Sequence, residues 1–277
     1  LRIGFLGTGG AFTDFRVNYH TNALVYSASG VVMIDCGGTA VQALKELGFD
    51  PSAVGDVIVT HVHSDHVGGI EQLAWERFYA GASGPRFDTT RLLTAPDVAP
   101  GLRATLAPGV DEITLSTGDV VRGGFDVLFH LKHITPGTWN DLGDLRFRLV
   151  PVPHLVGPVV HKPSYGVEVE DAHGRVLLTS DTTLDPSILT TAPFDLIFHD
   201  CTFTPHFEGT VHTHYERLRH LAPELRRKIV LVHHTVVPTG VDTAADGFLL
   251  AAERFDHFDI RGTSVILERG GASIRLR

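Results

Sequence analysis

With 277 residues the chain is long enough to bury a substantial core, and its 43% hydrophobic and 20% charged residues are an ordinary globular mixture. A formal net charge of −9, with only short basic patches such as Arg226, Arg227 and Lys228, argues against capture of a large RNA or DNA on a basic surface. No run reaches the length of a membrane-spanning helix, and two cysteines, Cys36 and Cys201, make no disulfide framework and suit a reducing compartment, so a cytoplasmic location is expected.

The opening LRIGFLG reads as a first strand rather than a signal peptide. NALVYS (22–27) and VVMID (31–35) continue as strands. AVQALKELG (40–48) has Val41, Leu44 and Leu47 at helical spacing and ends in Gly48, a helix-stop signal. DVIVTH (56–61) is a buried strand, and residues 68–81 read as a helix that starts after two glycines and stops at Gly81. The stretch 82–124 is loop-rich and gives no clear element. Strands resume over 125–131, 145–153, 165–171, 175–181 and 194–200. A helix over 213–227, a strand over 228–234, a helix over 243–255 and terminal strands over 263–269 and 272–277 complete the chain. The two halves share a plan of strands, helix, strand, helix. This predicts an α/β protein with two sheets face to face and helices outside, a four-layer αββα sandwich, in a single domain spanning 1–277.

THVHSDHVGG (60–69) crowds His61, His63, Asp65 and His66 onto one short loop. The chain has 17 histidines, so a lone one such as His133 or His220 is read as an ordinary surface or core residue. Four such side chains together have no common structural role, and a metal site explains them. Other ligand-type residues follow apolar runs: Asp35 ends VVMID, His154 follows RLVPVP, Asp181 ends VLLTSD and His233 ends KIVLVH. Strand ends at one edge of a sandwich converge on rigid supports. His61 and His63 can serve one ion while Asp65 and His66 serve another, with His154 and His233 completing the sets and Asp181 bridging. Nitrogen and carboxylate donors suit Zn²⁺, and also Mn²⁺ or Fe. Two ions about 3.5–4 Å apart can share a hydroxide and clamp both sides of a displacement.

In this order the motifs resemble the metallo-β-lactamase-fold hydrolase superfamily along nearly the full chain. The resemblance implies two divalent ions, zinc first. One would be held by His61, His63 and His154, the other by Asp65, His66 and His233, with Asp181 between them and Asp35 supporting the site from behind. His233 is preferred to its neighbour His234 because the superfamily's ligand directly follows the strand. Di-zinc β-lactamases carry Cys where this chain has Asp181, so the chain looks unlike them. IGFLGTGGAF (3–12) instead resembles the opening of ribonuclease Z and related phosphodiesterases, and DLIFHDCTF (195–203) with VHTHYERL (211–218) resembles the same branch's C-terminal half. In that branch a histidine opening a helix ahead of the last ligand donates a proton at the scissile phosphate. His212 is the candidate, with His214 its competitor and Asp200 as its orienting carboxylate.

The motifs look closest to small bacterial and phage phosphodiesterases of this fold, among them the anti-Pycsar enzymes that cleave cyclic mononucleotides. A small phosphodiester is therefore the expected substrate, a 3′,5′-cyclic mononucleotide opened to a monophosphate by a metal-bridged hydroxide. Asp65 or Asp181 would take the water's proton, and His212 would stabilise or protonate the leaving side. Phe15 or Trp139 is a candidate stacking platform for the base, and the resemblance implies a homodimer. The rival readings are ribonuclease Z-like RNA 3′-processing, a lactonase or thioesterase with the same metals, and a metal-binding, ligand-sensing module without catalysis.

Overall fold

Short β-branched and aromatic runs separated by Gly, Pro and Asp turns build two large sheets. The structure is a computed structural model that describes residues 1–80, 89–115, 117–156, 161–204 and 210–277. The first sheet has nine strands among these residues, in the order Ala272–Arg275, Ser264–Arg269, His257–Arg261, Arg2–Gly7, Asn22–Ser27, Gly30–Ile34, Asp56–Val59, Thr90–Thr94 and Phe129–His133. The second has seven, in the order Leu250–Ala251, Ile229–Val232, Leu196–Asp200, Arg175–Leu178, Tyr165–Glu170, Leu145–Pro151 and Asn140–Leu142. Each sheet contains a parallel block. In the first it runs from Gly30–Ile34 to Phe129–His133; in the second, from Arg175–Leu178 to Leu250–Ala251.

The sheets meet through one continuous hydrophobic cluster. Phe198 of the second sheet lies 4.9 Å from Phe5 and 5.1 Å from Phe258 of the first, ring centroid to ring centroid. The helices Ala40–Glu46, Ile70–Tyr79 and Ala99–Val110 add Val41, Leu44, Leu73, Phe78, Leu102 and Leu106 to that cluster and cover the first sheet. The second sheet's outer face is covered more thinly. There Leu177, Ile197, Ile229 and Leu231 pack with Tyr215 and Leu218 of one short helix and with Leu189, Phe194 and Phe248.

Several sequence expectations shift. The helix expected over 213–227 is two short helices, Tyr215–Arg219 and Pro223–Arg226; Pro223 lacks an N–H and cannot continue a helix, but it can open one. The helix expected over 243–255 does not form. Gly247 adopts φ +89°, and Leu250–Ala251 instead pairs with Val230 and Leu231 as a parallel edge strand. The apolar spacing there served sheet burial. Over 125–131 the chain first makes a helical turn, Gly124–Leu128, and only then the strand Phe129–His133. The unread stretch holds the strand Thr90–Thr94 and the helix Ala99–Val110, which carries Pro100, Gly101, Pro108 and Gly109 and so lacked a helical signature. The strand His257–Arg261 was also missed. The expected stop at Gly81 lies outside the described residues.

Phe198 is fully buried at the junction of the sheets. Phe198→Ala is expected to cost about 3–5 kcal/mol, read as a lowered urea midpoint; a midpoint like wild type would mean that the sheets are held together elsewhere.

Candidate metal centre

Ligands in sheets of this kind gather beyond the C-terminal ends of parallel strands, and that is where the ligand-type residues sit. Asp35 follows Gly30–Ile34, His61 follows Asp56–Val59, Asp181 follows Arg175–Leu178, Asp200 ends Leu196–Asp200, and His233 follows Ile229–Val232. Three strand exits are left-handed at a non-glycine residue: Asp35 (φ 57°), Ser180 (φ 52°) and His233 (φ 63°). Each costs on the order of 1 kcal/mol. Their clustering at one edge marks a site at which strain is tolerated. After His61 the chain turns into the short helix Ser64–Val67, so that Asp65 and His66 lie in its first turn.

The seven expected metal-site residues form two groups that share Asp181: His61, His63, His154 and Asp181, and Asp65, His66, His233 and Asp181, with the ligand-type atoms of each group within 4.8 Å of one another. In the first, His61 Nε2 is 3.1 Å from His63 Nδ1, and His63 Nδ1 is 3.3 Å from His154 Nε2. Asp181 Oδ2 lies 3.6 Å from His61 Nε2 and 3.8 Å from His154 Nε2. In the second, Asp181 Oδ1 lies 3.1 Å from His66 Nε2 and 3.4 Å from His233 Nδ1, while Asp65 Oδ2 is 3.4 Å from His66 Nε2. Asp181 thus turns one oxygen toward each group. Each group also draws two residues from the first half of the chain and two from the second.

The donor sets fit divalent ions. Four donors at about 2.0–2.1 Å from a tetrahedral zinc lie roughly 3.3–3.4 Å apart, and the separations above bracket that value. His66 Nε2, Asp181 Oδ1 and His233 Nδ1 are buried and converge, yet have no partner of hydrogen-bonding geometry among the described residues. Buried polar atoms are ordinarily satisfied, and an ion would satisfy all three.

The charges sort the histidines. Burial, then the charge of His66, pulls His61 well below the ordinary imidazole value. Burial, then His154, takes His63 to about 4, and burial also lowers His154. These rings stay neutral, the form that binds metal. For His66, burial is outweighed by Asp181 and Asp35, and its ring is pushed well above the usual range. Burial opposes ionisation of Asp65 and Asp181, but His66 holds Asp65 low, and His233 with His66 holds Asp181 low.

The surrounding shell is ordered. His66 Nδ1 donates to Asp35 Oδ2 at 2.8 Å, while Thr60 donates its N–H to Oδ1 at 2.9 Å and its hydroxyl to Oδ2 at 2.7 Å. His154 Nδ1 donates to the Val211 carbonyl at 2.9 Å. His212 Nδ1 donates to Asp200 Oδ2 at 3.0 Å, which also accepts the Thr182 N–H at 2.9 Å. The His212 ring stacks on His233 at 4.9 Å and lies 5.4 Å from His154. Burial would lower His212, but Asp200 first and then Asp181 raise it to about 9. His214 is turned away: it caps the helix Tyr215–Arg219, accepting the Glu216 N–H at 3.3 Å. His234 joins neither ligand group; its N–H is bound to the Thr8 carbonyl.

Of the two candidate stacking aromatics, Phe15 lies near the centre, with its ring 5.0 Å from His20, a buried imidazole close enough to Asp65 and His66 to feel their charges. Trp139 does not: it stacks on Arg146, Arg148 and Arg175, and Arg175 opens the strand that Asp181 follows, so Trp139 belongs to the opposite end of the sheet. Thr60 and Ser180 went unread. Their one signal was a hydroxyl residue directly before His61 and before Asp181. Phe12, Phe203 and Thr202 line a cleft of about 430 Å³ beside His212 and His233.

Comparison with known proteins identifies the fold and the family. A relative from Paenibacillus sp. (strain J14), Anti-Pycsar protein Apyc1, is 33% identical over 239 residues, 85% of this chain and 89% of its own. The metallo-beta-lactamase fold protein YhfI from Bacillus subtilis superposes with TM-score 0.70 at 15% identity over 92% of this chain and 98% of its own. Human tRNase Z, short form, superposes with TM-score 0.65 at 16% identity over 94% and 99%. The fold is therefore that of the metallo-β-lactamases. The sequence model described as Anti-Pycsar protein Apyc1 matches residues 1–258, and the chain belongs to that family.

Proposed function

We propose that the protein is a metal-dependent phosphodiesterase whose substrate is a small phosphodiester, a 3′,5′-cyclic mononucleotide. The observation that carries this reading is a His212–Asp200 pair standing beside two donor groups that share one carboxylate. The anti-Pycsar family and the net charge of −9 support a small substrate over a large RNA. His61, His63 and His154 would hold one ion and Asp65, His66 and His233 the other, with Asp181 common to both; zinc suits these donors, and it would make water nucleophilic near neutral pH and neutralise phosphate oxygens.

The chain's own residues do the rest. Asp65 or Asp181, both held ionised, accepts the one proton of the incoming water. His212 gives Nδ1–H to Asp200, which leaves its Nε2–H for the leaving ribose oxygen as the P–O bond breaks. Water thus supplies OH to phosphorus, His212 supplies H to the ribose oxygen, and the water's proton restores His212. A homodimer is part of the proposal, supported by the exposed apolar side chains Phe12 and Val236, which line one cleft, and Val17, which lines another with Val236.

The protein loaded with Zn²⁺ or Mn²⁺ is expected to open 3′,5′-cyclic AMP, GMP, CMP or UMP, and Asp65→Ala to abolish this. His212→Ala should lose about 10²–10⁴-fold in turnover with unchanged metal content. Hydrolysis of bis-p-nitrophenyl phosphate alone would keep the chemistry and remove the substrate. Loss of metal in His212→Ala would make that residue a ligand. Because Asp200 raises His212, the protonated acid is present below its raised value and is lost as pH rises through it. Asp200→Asn should therefore move the alkaline limb of kcat to lower pH, and an unmoved limb would remove Asp200 from this role. Light scattering should give twice the chain mass, and a monomer mass would exclude the dimer.

A further inference from the structure

Thr60 is fully buried, and its single hydroxyl meets three groups: Asp35 Oδ2 at 2.7 Å, Ser180 Oγ at 2.9 Å and His61 Nδ1 at 3.0 Å. A hydroxyl has one proton and two lone pairs, and an ionised carboxylate can only accept. Thr60 must then give its proton to Asp35, the shortest and charge-assisted contact. It is left to accept from both other neighbours, Ser180 O–H and His61 Nδ1–H. A proton on His61 Nδ1 leaves the lone pair of the neutral ring on Nε2, the atom that faces His63 and Asp181. Ser180 immediately precedes Asp181 and is one of the left-handed strand exits. Its hydroxyl crosses from the second sheet to Thr60 at the end of Asp56–Val59 in the first.

We propose that Thr60 and Ser180 are positioning residues. Thr60 fixes His61 as its Nδ1–H tautomer, and Ser180 fastens the turn that carries Asp181 to the same hydroxyl, so one oxygen sets a histidine of the first donor group and the carboxylate shared by both. His66 is held through the same Asp35 oxygen, which makes the hub common to the two groups. The consequence for metal rests on the metal-site reading above; the tautomer does not.

The test uses the whole protein as wild type, Thr60→Val, Thr60→Ser, Ser180→Ala and Ser180→Gly. Three readouts apply: ¹⁵N-resolved imidazole NMR and thermal melting without metal, and Zn²⁺ titration against a chelating dye. Wild type and Thr60→Ser should show His61 as Nδ1–H, and Thr60→Val should populate Nε2–H and bind Zn²⁺ about 10–100-fold more weakly. Ser180→Ala and Ser180→Gly should keep the tautomer but bind Zn²⁺ roughly tenfold more weakly. Ser180→Gly should do so while melting no lower than wild type, because glycine relieves the left-handed backbone. A purely structural Ser180 would lower melting and affinity together. Unchanged Nδ1–H and unchanged affinity in Thr60→Val, or wild-type affinity in Ser180→Gly, would overturn the proposal. If Thr60→Val does not fold, the two Ser180 variants decide. If wild type takes up no Zn²⁺, the metal-site reading falls instead, and the metal-free tautomer still judges the hub.

Discussion

Asp181 turns one carboxylate oxygen to each of two groups of histidines, and the centre exists only while two sheets keep their spacing to within a fraction of an ångström. Packed cores are stiff enough for this. Phe5, Phe198 and Phe258 fill the space between the sheets, and Phe5 and Phe198 also line a small cavity of about 30 Å³ with Asp35, Thr60, His66 and Asp181. The apolar clamp and the polar centre are thus consecutive layers of one interior. A floor of this kind strengthens every electrostatic interaction above it.

The histidines divide according to whether a carboxylate stands behind them. His61, His63 and His154 turn toward one another, and burial keeps them neutral. His154 spends its second nitrogen on the Val211 carbonyl, a neutral acceptor. His66 and His212 each have an aspartate on Nδ1 and hold a proton more tightly. The rings are alike, and the difference in their hold on a proton is set by Asp35 and Asp200; for His66 to serve as a ligand, an ion must displace the proton from its Nε2.

Much of this was legible in the sequence because of where information concentrates. His61, His63, Asp65 and His66 share a loop, and Asp35, His154, Asp181 and His233 each follow an apolar run, so strand ends could be read as convergence points without knowing the strand order. His212 was preferred to His214 from the motif alone, although both belong to the same loop-to-helix passage; in the structure His212 meets Asp200 while His214 caps the helix. The helix expected over 243–255 failed because apolar spacing alone does not distinguish a helical stripe from a segment buried at a sheet edge. The helix Ala99–Val110 was hidden by its own prolines and glycines. Trp139 was one of two candidate stacking platforms, but three arginines claim its ring at the other end of the sheet. Thr60 and Ser180 were invisible because a hydroxyl is ordinary in a sequence and acquires meaning only from its neighbours, and two of the three at Thr60, Asp35 and Ser180, arrive from distant segments.

Each donor group takes two side chains from either half of the chain, and that symmetry reaches beyond catalysis. An ion seated in either group would act as a clasp across the seam between the sheets, and it would bind the closed sandwich in preference to any form in which the seam has parted. Folding and metal supply would then be linked by mass action, with stability growing as the logarithm of free ion concentration. The thinly covered second sheet, which carries Asp181, Asp200 and His233, would gain most from the clasp. For such a protein, starvation for metal would weaken the fold as well as the chemistry.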